Sequence, residues 1–189
     1  MKILNISYII PMEGKEKENR IALDLQDYLT DRYSHSYKII KFLPYTNHFL
    51  STKKKKWAIY YKYLKKRMIN LYGYKTTILP WFTPPTSNYV VNYLMLPFNL
   101  ILFHYRLYSK LRPTIKDCDL IIAQNLFPDA ILGFWIHKKT GLPYIVNLRD
   151  PISKYFIHLP VIKSVFNKAN KVITASPTYY NKFKNKMEI

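Results

Sequence analysis

The chain has 189 residues, 49% of them hydrophobic, which excludes a disordered or low-complexity tail and suits one ordinary domain with a real core. Lys and Arg number 30 against 11 Asp and Glu, a formal charge of +19. That excess favours a polyanion or an anionic membrane surface as partner and says nothing about fold. The single cysteine, Cys118, excludes an intramolecular disulfide and suits a reducing compartment.

In chain order, "KILNISYII" (Lys2–Ile10) reads as a first strand. Asn5 and Ser7 interrupt its apolar run and no small-residue cleavage site follows, so it is not read as a signal peptide. A polar turn leads to a helix from about Arg20, with Ile21, Leu25, Tyr28 and Leu29 spaced along one face. "YKIIKFLP" is a second strand, stopped by Pro44. From Thr52 to about Leu71 the pattern is helical, with Trp57, Tyr60, Tyr61, Leu64, Met68 and Leu71 on one face and Lys62 and Lys66 opposite. "LPWFTPPTSN" (Leu79–Asn88) reads as a proline-stiffened loop, and "YVVNYLMLPFNLILFHYRLYSKL" as a long helix kinked at Pro97.

The clearest unit follows. "CDLIIAQN" (Cys118–Asn125) is a short buried strand, and "FPDAILGFWIHKKTG" is a helix with Pro128 in its first turn and Gly141 just past its end. "LPYIVNL" is a second buried strand, and "NKVITAS" (Asn170–Ser176) a third that enters a last helix near Pro177. Such alternation predicts an α/β fold: an open, parallel, Rossmann-like sheet with helices on both faces.

Ligands of open parallel sheets sit beyond the carboxyl ends of the strands. The residues to inspect are therefore Pro11–Glu16, Gln124–Asp129, Asn147–Pro151 and Ser176–Thr178. Each has a plain structural alternative. Arg149 and Asp150 can form a local ion pair at a turn, Asn125 and Asp129 can cap the next helix, Ser176 can cap the last one, and Gly14 can serve a turn. No G-x-G-x-x-G, P-loop or G-x-S-x-G is present. The five histidines lack metal-ligand spacing, so no metal site is expected, and His137 suits a helix C-terminal cap.

"STKKKKWAIYYKYLKKRMINLYGYK" (Ser51–Lys75) has nine basic residues and no acid. Its Lys53, Lys54, Lys55, Lys56, Trp57, Lys62, Lys65, Lys66 and Arg67 suit contact with an anionic membrane, since aromatic rings favour headgroup depth and cations favour the charged surface. The alternative is an aromatic face packed on the sheet with solvated lysines. A single-stranded nucleic acid groove is a further possibility, though no nucleic-acid module accompanies it and no specific nucleic acid is expected. "LMLPFNLILF" (Leu94–Phe103) is too short to span a bilayer, which leaves monotopic attachment.

The order of elements resembles the N-terminal, acceptor-side domain of family 4 glycosyltransferases, enzymes of the two-domain GT-B fold. The stretches that carry the resemblance are "IIPMEGKEKENRIALDLQDYL", "CDLIIAQNLFPDAILGFWIHKKTGLPYIVNLRDP" and "NKANKVITASPTYYNKF". It covers most of the chain and is weak between about Asn47 and Pro113. The resemblance implies that residues 1–189 form one GT-B N-terminal domain with a basic, aromatic helical insertion at about 51–111. It implies an acceptor or phosphate site at Arg149, Gly14, Lys15, Asn125 and Ser176, with Asp150 as the catalytic group. Lys15 stands where many members have a second glycine, and Arg149 where many have a histidine; Arg-Asp at this place is similar to a subgroup using polyprenyl-phosphate-linked acceptors. The resemblance implies no cofactor beyond a nucleotide-sugar donor. Its donor site needs a C-terminal domain with two glutamates eight positions apart, a pair this sequence lacks, so the chain alone is expected to be inactive. Cytoplasmic placement, peripheral on the inner face of the cell membrane, completes the expectation.

Overall fold

The computed structural model describes residues 1–8, 10, 21–45, 63–66, 68–82, 94–102, 108–149 and 160–174. In chain order the elements are β1 Lys2–Ile6, α1 Ile21–Tyr33, β2 Ser36–Tyr45, β3 Met68–Leu71, β4 Tyr74–Phe82, α2 Leu96–Leu102 and α3 Tyr108–Ile115. Then come β5 Leu120–Ala123, a π-helical turn Leu126–Ala130, α4 Ile131–Thr140, β6 Tyr144–Leu148, α5 Pro160–Asn167 and β7 Lys171–Thr174. The strands make one open sheet in the order β3-β4-β2-β1-β5-β6-β7, as the βα alternation predicts. Two compact units are distinct: residues 1–39 with 118–189, and residues 40–117.

In the first unit β1 pairs parallel with β5, β5 with β6 and β6 with β7. Register partners in a parallel ladder point to the same face, and successive residues to opposite faces. Asn5 stands opposite Ile122, which stands opposite Ile145, so these residues share a face. Helix α1 covers it, because Asn5 Nδ2 donates to Gln26 Oε1. Ile121 and Ala123 point the other way, and the backbone of Gly133 in α4 lies against both and against Tyr144. The Tyr144 hydroxyl donates to the Val165 carbonyl of α5 on that same side. Helices therefore pack on both faces, with Ile3, Leu4, Ile6, Leu23, Ile121, Ile136, Val146 and Val165 buried between the layers.

The apolar face expected of α1 is not the one it buries. Leu25 and Tyr28 are exposed, whereas Leu23 and Gln26 are buried. The inward turn follows from the Gln26–Asn5 bond and the Leu23 contact with the core, while the Tyr28 hydroxyl accepts from Arg32 in solvent at 2.7 Å. The α4 helix starts at Ile131, later than Pro128 suggests, because Phe127 is extended (φ −126°, ψ 125°), the conformation a following proline favours. Its end is as expected: Gly141 adopts φ 74° and its amide bonds the His137 carbonyl. His137 Nδ1 donates to the Leu142 carbonyl at 2.8 Å, which ties the last turn of the helix to the loop that follows it and does not cap a helical carbonyl. Helix α5 has no counterpart in the sequence reading, although Ile162, Val165 and Phe166 carry its buried face at helical spacing.

In the second unit residues 63–65 are helical as expected and 52–62 lie outside the described residues, but Met68–Leu71, the end of the expected helix, is a strand of a hairpin. β3 pairs antiparallel with β4, Leu71 opposite Tyr74, and the two-residue loop Tyr72–Gly73 has positive φ at both positions (51° and 82°). That geometry matches the right-handed twist of the flanking strands. Strand alternation leaves Met68 exposed and Leu71 buried, so these two do not share one apolar stripe. Leu79–Phe82, read as loop, belongs to β4, with Leu79 and Trp81 in the core and the Trp81 ring edge-on to Phe42 at 5.3 Å. β2 ends at Tyr45, one residue beyond Pro44. Of the expected long helix the described part includes α2, in whose first turn Pro97 falls, where its missing N–H breaks no helical bond; residues 89–93 and 103–107 lie outside the described residues.

Candidate functional site

Parallel strands end together, so β1, β5, β6 and β7 present their carboxyl ends along one edge. The strand order reverses beside β1, with β2 on one side and β5, β6 and β7 on the other. Such a reversal opens a crevice beyond the strand ends, because the connections leave over opposite faces. Here it is bordered by Ser7 and Tyr8 after β1 and by Gln124 to Asp129 after β5.

Side chains stitch this edge together. Asn125 Oδ1 accepts the Arg149 amide at 3.2 Å and links the ends of β5 and β6. Asp129, fully buried, accepts the Tyr8 amide at both carboxylate oxygens, 3.0 and 3.1 Å away, and links the turn after β5 to the end of β1. Burying a carboxylate is costly without such donors, so the pairing fixes the geometry of the turn. The capping roles open to these residues are thus not what their side chains are seen to do: Asn125 makes no side-chain cap bond, and Asp129 reaches across to β1.

A chain of amides runs beneath, on the α1 face. Gln124 Nε2 donates to Asn5 Oδ1 at 3.1 Å, and Asn147 Nδ2 donates to Gln124 Oε1 at 3.0 Å. With the Asn5–Gln26 bond, this connects α1, β1, the end of β5 and β6. Ser7 follows β1 on the side of Asn5, and among the described residues neither its buried Oγ nor Gln26 Nε2 has a hydrogen-bond partner. A hydroxyl and an amide hydrogen left without partners have hydrogen-bonding capacity to offer a small polar ligand or water.

Of the residues the sequence singles out, Asn125 and Arg149 come together on this edge. Gly14, Lys15, Asp150 and Ser176 lie outside the described residues, as do Lys53, Lys54, Lys55, Lys56, Trp57, Lys62 and Arg67. Lys65 and Lys66 are exposed. Gln124 and Asn147 open two of the stretches the sequence marks after strands but carry no role there, Gln26 is not marked at all, and Asn5 and Ser7 serve only against a signal peptide. For Asn5, Ser7, Gln124 and Asn147 the signal was available, as amides and a hydroxyl placed inside or just after strongly apolar strands; Gln26, within α1, carried none. Among the described residues no group of His, Cys, Asp or Glu could hold a metal ion, and no helix is long and apolar enough to cross a membrane.

The fold and this edge define an open α/β domain of the Rossmann-like kind. Among solved structures the chain is similar to the N-terminal domain of trehalose-6-phosphate phosphatase from Candida albicans, with a TM-score of 0.59 and 12% identity. The match covers 98% of this chain and 42% of that one. At that identity the likeness speaks to fold alone. No family model and no curated protein matches.

Proposed function

We propose that these residues form the acceptor-binding half of a retaining, metal-independent glycosyltransferase of the GT-B kind, working at the cytoplasmic face of a membrane. A sugar passes from a nucleotide-sugar donor to a lipid-linked or glycan acceptor. The acceptor hydroxyl oxygen bonds the anomeric carbon, the bond to the nucleoside diphosphate breaks, and the hydroxyl proton goes to a base. Asp150 orients that hydroxyl or takes its proton. Arg149 holds the acceptor phosphate through its planar fork of donors, with Gly14, Lys15, Asn125 and Ser176 around it. The donor binds a second domain, carried by the same polypeptide or another.

The observation that supports this reading most is the Asn125–Arg149 link, which holds the Arg149 backbone at the carboxyl edge of the sheet. Calorimetric titration of the chain with farnesyl diphosphate, a water-soluble prenyl phosphate, tests it. A charge-assisted contact contributes about 1.5–3 kcal/mol, so Arg149→Ala should weaken binding about 10- to 100-fold and Arg149→Lys less. Equal affinity of Arg149→Ala and wild type would sink the assignment.

A second reading is a non-enzymatic basic module for anionic surfaces, favoured by the absence of any acid from Arg32 to Lys116. A chain that ignores prenyl diphosphate but binds anionic vesicles would select it.

A further inference from the structure

Asn99 is buried in α2, and its side chain ties this helix to the end of β4: Oδ1 accepts the Phe82 amide at 2.8 Å and Nδ2 donates to the Phe82 carbonyl at 3.1 Å. One side of the helix is thereby committed to the hairpin. Leu94, two residues before α2, and Phe98 and Ile101 within it are spaced i, i+4 and i+7 and lie away from the buried Asn99. They are 63%, 51% and 57% exposed. The Phe98 ring stands edge-on to Phe82 at 5.5 Å, which steadies the root of the stripe and leaves its outer surface in water. The α2 sequence "LPFNLIL" carries no charge.

Residues 40–117, the unit that contains this stripe, hold fourteen Lys or Arg and one acid, Asp117. Lys65, Lys66, Lys75, Arg112 and Lys116 are exposed. We infer that this unit docks on an anionic lipid surface by inserting Leu94, Phe98 and Ile101 into the boundary between headgroups and acyl chains. The cations supply attraction to the charged leaflet, and the stripe gains only where hydrocarbon receives it. A nucleic acid would satisfy the charge and leave three large apolar side chains in water, so the two features together select lipid. The inference deepens the membrane-side part of the proposed function and does not depend on sugar transfer. A chain that binds vesicles through α2 but ignores farnesyl diphosphate keeps this docking and loses that reading, and the converse result does the reverse.

The test is co-sedimentation of the full chain with vesicles of phosphatidylcholine alone and of equal parts phosphatidylcholine and phosphatidylglycerol. Binding is expected only to the second. Leu94→Asp and Ile101→Asp should each weaken it by about tenfold or more, the value of one aliphatic side chain withdrawn from water. Leu25→Asp, an exposed position on α1, should leave it unchanged, with circular dichroism verifying that each variant is folded. Should an aspartate unfold the unit, an environment-sensitive fluorophore on Ile101→Cys replaces it: its emission should rise with anionic vesicles, and the same label on Leu25→Cys should not respond. Wild-type binding by both aspartate variants, silence of the label at position 101, or failure of the full chain to bind anionic vesicles would each overturn the inference. So would single-stranded DNA binding that outcompetes the vesicles.

Discussion

Replacing Asn5 by alanine removes the middle of the amide chain beneath the strand ends. The loss strands two partners, Gln26 Oε1 and Gln124 Nε2, in residues that are both buried. Gln26 Nε2 already lacks a partner among the described residues, so that side chain would be unmet by them at both ends. A buried polar group deprived of its bond costs about 1–3 kcal/mol, so Asn5→Ala should destabilise the chain by about 2–5 kcal/mol. Asn147 is at the other end of the chain, half-buried, and its removal strands only Gln124 Oε1. Asn147→Ala should therefore cost about 1 kcal/mol. Urea unfolding followed by far-UV circular dichroism measures both from the midpoint shift at unchanged slope. An Asn5→Ala cost under about 0.5 kcal/mol, or equal costs for the two variants, would refute the claim that this amide chain ties α1, β1, β5 and β6 together with Asn5 at its middle.

Gly133 packs against the sheet with room for one carbon, since an added Cβ would meet Ala123, Ile121 and Tyr144 at 3.5, 3.6 and 3.7 Å. Gly133→Ala should thus raise stability by about 0.5–1 kcal/mol, while Gly133→Val should lower it by about 1–3 kcal/mol; thermal unfolding separates the signs. Gly141 has open space around it but a left-handed backbone, so Gly141→Ala should cost about 1 kcal/mol from the backbone alone, read from the same melts. Burial raises the Tyr144 hydroxyl above its ordinary value of 10.0, and Tyr37 is raised for the same reason. The folded chain then holds these protons more tightly than the unfolded one, so their contribution is complete below pH 10.0 and is lost as pH climbs above it toward the raised values. Tyr144→Phe should cost about 1–2 kcal/mol at neutral pH by stranding the Val165 carbonyl, and should flatten the alkaline loss without abolishing the part due to Tyr37.

The parallel half of the fold was legible because β5 and β6, with alternate residues buried and the others half-buried, read as continuous apolar runs, "LIIA" and "YIV" above all. Gly141 closed its helix as such a glycine should. The hairpin was not legible from periodicity. "MINLYGYKTTILPWF" mixes apolar and polar residues in a way compatible with either period, and the deciding cue is the Tyr72–Gly73 turn, easily lost in a basic, aromatic run. The α1 face was misread for a different reason: a glutamine faces inward because a buried asparagine awaits it, and hydrophobic spacing cannot register that pairing. At the candidate site, Arg149 and Asn125 could be nominated from their positions after strands, but their mutual contact is set by register between β5 and β6. Asp129 looks like a helix-capping acid in sequence and becomes a cross-link to Tyr8 only once β1 lies beside β5.

Photocrosslinking with a prenyl diphosphate that carries a reactive group near its phosphates, followed by peptide mapping, bears most directly on the proposed acceptor site. Labels should concentrate on residues 7–8, 124–129 and 147–149, the successive strand ends of one edge, and should fall away in Arg149→Ala. Labelling confined to the opposite ends of these strands, around Lys2, Asp119 and Leu142, would contradict the proposal.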